Sequence, residues 1–130
     1  MAVAVLFAPS SCSLGADDEA EPASGAAARV AATVDRLERA TAEGDWDSVC
    51  DELFTSAARR RAGGRDCPRL LRSSAGALRR PSIEIRGIDV SGERATVAVR
   101  TRAQEQPPVD DSLELRREAG GWRVEALSGR

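Results

Sequence analysis

The sequence predicts an α+β domain in which three N-terminal helices pack on a curved four-stranded antiparallel sheet, in the order αααββββ. Three observations carry this prediction. Apolar residues first recur at three- and four-residue spacing, the period then switches to two after Pro81, and Gly and Pro separate the periodic segments. At 130 residues, with 42% hydrophobic and 31% charged side chains, the chain supports one globular core and is too short for two. The domain is assigned to residues 26–130 and a separate leader and linker to residues 1–25.

The first helix is read in AARVAATVDRLERATAEG, where Val30, Val34, Leu37 and Ala40 share a face and Gly44 stands in a C′ position. Asp45 is placed to cap the second helix, DWDSVCDELFTSAARRR. Its apolar set, Trp46, Val49, Cys50, Leu53, Phe54 and Ala57, falls on one continuous stripe. Arg59, Arg60 and Arg61 close it where cations suit the helix dipole. After Gly63-Gly64, Pro68 opens the third helix, CPRLLRSSAGALRR, with Cys67, Leu70, Leu71, Ser74 and Leu78 on one side and Pro81 as the stop.

The strands follow. In SIEIRGIDV, Ile83 and Ile85 alternate, then Ile88 and Val90 restart out of phase, so Gly87 predicts a β-bulge. After the Ser91-Gly92 turn, Ala95, Val97, Val99 and Thr101 face one way and Arg100 and Arg102 the other. AQEQPPVD is read as a loop stiffened by Pro107-Pro108. SLELRREAGGWRVEAL then reads as a hairpin, with Leu113 and Leu115 opposite Trp122 and Val124 across Ala119-Gly120-Gly121.

The leader has its own chemistry. AVAVLFA has the length of a secretory apolar region and falls well short of the roughly 20 residues that span a bilayer. With the small residues after it, Pro-Ser-Ser-Cys12 resembles the lipobox of bacterial lipoproteins, although Pro9 stands where that motif usually has Leu and no basic residue precedes the apolar run. The resemblance implies a lipid anchor on Cys12, hence an extracytoplasmic domain held at the membrane of the cell envelope. Plain secretion with an incidental Cys12, or a cytosolic chain with a chance apolar start, are the alternatives. SLGADDEAEPASGAA is small, acidic and broken by Pro22, which suits a tether.

Composition narrows the chemistry. The chain has no His and no Tyr, so the usual neutral-pH acid/base and the commonest metal ligand are missing; no metal or cofactor is expected. All 19 basic residues are Arg. Asp17, Asp18, Glu19 and Glu21 lie in the tether, which leaves the domain only weakly basic and makes no case for nucleic acid. In an oxidising compartment Cys50 and Cys67, on adjacent apolar faces, read as one disulfide.

The pieces "GDWDSVCDELF", "ATVAVRTR" and "LELRREAGGWRVEAL" resemble the nuclear transport factor 2-like superfamily over about residues 26–127, and in particular its small extracytoplasmic bacterial members, many of them predicted lipoproteins of unknown function. The resemblance implies a cone, a curved sheet wrapped around helices, often with a pocket and often dimerising through the sheet. AGGR leaves no room for the strands that many members insert before the third helix, which argues against a deep pocket. Enzymes of the superfamily, isomerases and cyclases, use an Asp base with Tyr or His partners, and none of these carries over. The inward positions Ile83, Ile85, Val97, Val99, Leu113, Leu115, Trp122 and Val124 include no acid, base or nucleophile. Thr101 and Glu105 lie near the open end, and Asp47 and Asp51 are expected to face solvent. The expectation is therefore a non-catalytic domain that binds a small apolar ligand or a protein partner, with Trp46, Phe54, Thr101 and Trp122 as candidate pocket-wall residues and an isomerase- or cyclase-type enzyme as the alternative.

Overall fold

The structure, a computed structural model, describes residues 23–129. Helix α1 (Ala23–Glu43) starts inside the segment read as tether. Its Ala26, Val30, Val34 and Ala40 are buried, and Leu37 packs beside them, so the expected face is the one the sheet covers. Gly44 ends it with a φ of +70°, a left-handed conformation that favours glycine.

The second helix differs from its expectation. Helix α2 (Trp46–Ser48), capped by Asp45 through the Ser48 amide at 3.3 Å, runs into a π-helical turn, Val49–Leu53. Phe54 is then extended and forms a parallel bridge with Val124. Thr55 caps a new helix, α3 (Ser56–Arg61), its hydroxyl accepting from the Ala58 amide at 3.0 Å. The stripe from Trp46 to Leu53 is buried as expected, but the break moves the next buried position from Ala57 to Ala58. The cause is tertiary. The Thr55 amide donates to the Val124 carbonyl at 3.0 Å, which draws the chain off the helical path.

Gly63, at φ +120°, leads through a 3₁₀ turn (Gly64–Asp66) into α4 (Cys67–Ala75), with Pro68 in its first turn. This helix stops well before Pro81, and its expected apolar side is mostly not buried. Leu70 and Leu78 are 42% and 41% exposed, Leu71 is half-buried, and Cys67 alone is buried.

Strands β1 (Ser82–Ser91), β2 (Arg94–Ala103), β3 (Gln106–Glu118) and β4 (Gly121–Gly129) form one antiparallel meander in the order β1-β2-β3-β4. Three bulges bend it. Arg86 is extra in β1, between the Ile85–Val99 and Gly87–Ala98 pairs, so Ile83, Ile85, Ile88 and Val90 all pack inward as the phase slip at Gly87 predicts.

The second bulge corrects the expected loop. Only Gln104 and Glu105 turn, and Pro107 and Pro108 lie within β3, where two residues oppose Arg102. A bulge tolerates proline because the ladder is interrupted there, and β4 does not reach this end of β3. The third bulge places Glu125 as the extra residue of β4. On the turn side of it Leu115 pairs with Val124 and Arg117 with Trp122, and past it Leu113 meets Leu127, a register different from the one expected.

Helix α1 lies in the hollow of this sheet against Val97, Val99, Leu113, Leu115, Trp122 and Val124. A second cluster of Ala40, Trp46, Val49 and Leu53 joins it through Leu37 and Phe54, which pack on both. The Ile83 amide, on the sheet edge, donates to Glu38 Oε2 of α1 at 2.7 Å, which satisfies a group that an open edge would expose.

Candidate functional site

A cleft of about 470 Å³ opens where α1 leaves the sheet. The π-helical turn and the Phe54 bridge build one wall, placing Trp46, Val49 and Phe54 beside Leu37. Helix α4 supplies Leu71 and Ala75, and the sheet supplies Ile83, Leu113, Val124 and Leu127. Leu127 is 61% exposed, so the rim as well as the floor is apolar.

Cys50 and Cys67 are joined, with their Cα atoms 6.1 Å apart, and both are buried. The bridge fastens α4 to the π-helical turn, and so holds Leu71 and Ala75 across from Trp46 and Val49. The polar groups of the lining are Thr41, Arg61 and Glu125. Glu125 Oε1 accepts from the buried Thr55 hydroxyl at 2.7 Å, Arg61 Nη2 lies 3.5 Å from Oε2, and the same guanidinium donates to the Glu125 carbonyl. The Thr55 hydrogen bond outweighs the opposing effect of burial and, with the charges of Arg61 and Arg116, holds the Glu125 carboxyl below its ordinary value.

Of the expected wall residues, Trp46 and Phe54 line this cleft; Thr101 and Trp122 do not. Thr101 is on β2, its hydroxyl donating to the Val109 carbonyl at 3.4 Å. Trp122 lies next to the β3–β4 turn and lines a different cavity. Asp47 and Asp51 are exposed, and Asp51 pairs with Arg59 at 3.1 Å. Glu105 is exposed at the β2–β3 turn. Leu71, Ala75, Arg61 and Glu125 are the cleft residues that sequence reasoning missed. The sequence places Leu71 on the apolar side of a helix packed on the sheet without pointing to a cleft, and Glu125 is the bulged residue of β4. Cys12 lies outside the described residues.

Among the described residues no helix is long and apolar enough to cross a membrane, and no group of three or more His, Cys, Asp or Glu could hold a metal ion.

No protein-family model matches the sequence, and no curated protein matches it significantly. Solved structures do. A protein of unknown function from Silicibacter pomeroyi, described as NTF-2 (nuclear transport factor 2)-like, aligns with a TM-score of 0.63 at 22% identity, over 82% of this chain and 96% of that one. A SEC-C motif containing protein from Rhodopseudomonas palustris aligns with a TM-score of 0.51 at 20% identity, over 71% of each chain. With its helices laid into a four-stranded, three-bulged antiparallel sheet, the chain has the nuclear transport factor 2-like fold.

Proposed function

We propose that this is a non-catalytic binding domain of the cell envelope that takes a small apolar ligand in the cleft between α4, the π-helical turn and the end of the sheet. The observation that carries the reading is the lining: twelve or more apolar side chains around a concavity within the about 300–1,000 Å³ range of small-molecule sites. The polar groups are few, and Arg61 and Glu125 among them stand together, as polar groups do where a site orients one end of an apolar ligand.

The alternative, an isomerase- or cyclase-type enzyme, needs a base poised near the working pH. Glu125 is the carboxylate of this cleft, and its environment shifts it the other way, away from neutrality. The envelope location rests on the leader, where Cys12 is the proposed site of lipid attachment.

A neutral, environment-sensitive dye, N-phenyl-1-naphthylamine, tests the ligand reading. Its fluorescence should rise saturably with one site per chain. Leu71→Gln, on a half-buried helical position, should weaken it about tenfold, equivalent to about 1.4 kcal/mol of lost apolar contact, with the melting temperature little changed. A non-saturating rise, or equal binding by the variant, would refute the proposal.

A further inference from the structure

The charges of the chain are unevenly spread. From Arg59 to Arg80, through the end of α3, the 3₁₀ turn, α4 and the link to β1, the sequence carries eight arginines and one carboxylate, Asp66. That is a local charge of +7 in a chain of formal net charge −2, which leaves −9 for everything else. Acidic neighbours take up only part of it. Arg59 pairs with Asp51 at 3.1 Å, Arg61 with Glu125 at 3.5 Å and Arg69 with Asp66 at 3.5 Å. Arg60, Arg65, Arg72, Arg79 and Arg80 are exposed and make no ion pair among the described residues. Like charges gathered this densely repel one another, and an opposite charge from outside relieves them.

Two leucines stand among these arginines. Leu70 lies between Arg69 and Arg72, Leu78 directly before Arg79 and Arg80, and both are exposed. Cys67 and half-buried Leu71 mark the inner side of α4, so Arg69, Leu70 and Arg72 lie on the side turned to solvent. Leu70 reaches over the α3–α4 link, so closely that a side chain at Gly63 would collide with it. The surface is also held in shape. The Cys50–Cys67 bridge fixes the start of α4, and beyond its end the Arg79 carbonyl accepts from the Gln104 amide at 2.8 Å.

We propose that this lobe docks on the surface of an anionic bilayer, with its arginines at the lipid phosphates and Leu70 and Leu78 in the acyl boundary. An interface of charged headgroups over hydrocarbon favours cations and leucines side by side. A nucleic acid would use the charges but leave the leucines in water, and residues 59–80 hold no aromatic side chain on which a base could stack. Of the proposed function the inference borrows only the envelope location, which puts a membrane at hand. An anchor on Cys12 permits the contact. The eleven residues after it, through Ala23, span up to about 40 Å, and the lobe, packed by Leu71 and Ala75 near Ala40 of α1, is one helix length of about 32 Å farther on.

Sedimentation with sucrose-loaded vesicles tests the proposal on the full chain carrying Cys12→Ser, which has no site for a lipid. Vesicles of equal phosphatidylglycerol and phosphatidylcholine should bind it at least a hundredfold more tightly than pure phosphatidylcholine, and added salt should weaken the binding. The uncharged apolar run of residues 2–8 adds equally to both vesicles and cancels in the comparison. Arg65→Gln, Arg72→Gln and Arg79→Gln together should weaken binding about a hundredfold, about fivefold for each charge. The same loss of charge on the sheet, through the exposed Arg86→Gln, Arg94→Gln and Arg102→Gln, should leave it unchanged. Leu70→Gln with Leu78→Gln should weaken it about fivefold and keep its salt dependence. Equal binding to both vesicles, equal losses in the two arginine triples, or no effect of the leucine pair overturns the proposal. Tighter binding to a DNA duplex than to the anionic vesicles also overturns it and assigns the lobe to nucleic acid. A failed dye titration at the cleft or an unmodified Cys12 leaves the vesicle result standing, so the proposals fail separately.

Discussion

Breaking the Cys50–Cys67 bridge tests stability and site architecture together. The cysteines are 17 residues apart, and closing a loop of that length restricts the unfolded chain by about 3 kcal/mol. For a domain of about 100 ordered residues each kcal/mol moves the melting temperature by about 4 °C, so reduction should lower it by about 12 °C. The effect on the cleft follows from packing. Cys67 is the buried side chain of α4, so without the bridge little apolar burial keeps Leu71 and Ala75 in the wall. Thermal melts followed by circular dichroism, with and without reductant, measure the first effect on wild type and Cys50→Ser. Dye titration at a temperature where the reduced domain is still folded measures the second. Wild type should lose both stability and dye affinity on reduction, whereas Cys50→Ser should start low and barely respond. Equal melts of oxidised and reduced wild type, with both thiols alkylated after reduction as proof that the bond was cut, would refute the reasoning.

The remaining predictions are shorter. Trp122→Ala removes a large side chain from the main core cluster and should cost about 3–5 kcal/mol in chemical denaturation; a loss under about 1 kcal/mol would contradict its placement against α1. Because the Glu125 carboxyl is held below its ordinary value in the folded state, its stabilising contribution is complete above the unfolded pKa of about 4.3 and is lost as pH falls through the folded value. The melting-temperature gap between wild type and Glu125→Gln should therefore be constant near neutrality and close on acidification below about pH 4, and a gap that widens there would reverse the assignment. Mass spectrometry of the chain from its native membrane fraction should show cleavage before Cys12 and an added diacylglycerol, and an unmodified Cys12 would remove the anchor.

Local signals were legible wherever one residue type carried the physics. Gly87 at a phase slip announced its bulge, Gly44 and Asp45 marked a helix end and a cap, and Pro68 marked a helix start. What was not legible depended on partners far along the chain. Nothing local to Phe54 says that Val124 will draw it into a bridge, although Thr55-Ser56 is an N-cap signal that could have divided the helix. The turn at Gln104–Glu105 hid because Glu105 takes a φ of +64° without being glycine or asparagine. The bulge at Glu125 hid for the same reason, since no glycine marks it, and with it went the register of Leu113. The site was readable as far as Trp46 and Phe54. Its α4 wall was not, because the Cys50–Cys67 bridge, itself read from the sequence, fixes one end of that helix without saying which of its residues face the cleft.

The short link before α4 and the filled interior explain where the cavities lie. In the hollow of the sheet, Val30 and Val34 of α1 meet Val97, Val99, Leu113 and Leu115, all buried, so side chains occupy the space where an enclosed chamber would lie. Two cavities open beside that contact rather than within it. Beyond Leu37 and Phe54 the chain offers apolar walls; beside Thr33, whose hydroxyl donates to the Trp122 carbonyl at 3.2 Å, it offers arginines. The same two elements, α1 and β4, thus pass from an oily cavity to a basic one along their length. The apolar cleft and the arginine-lined cavity are therefore separate spaces, the first walled in part by Leu71 and the second by Arg36.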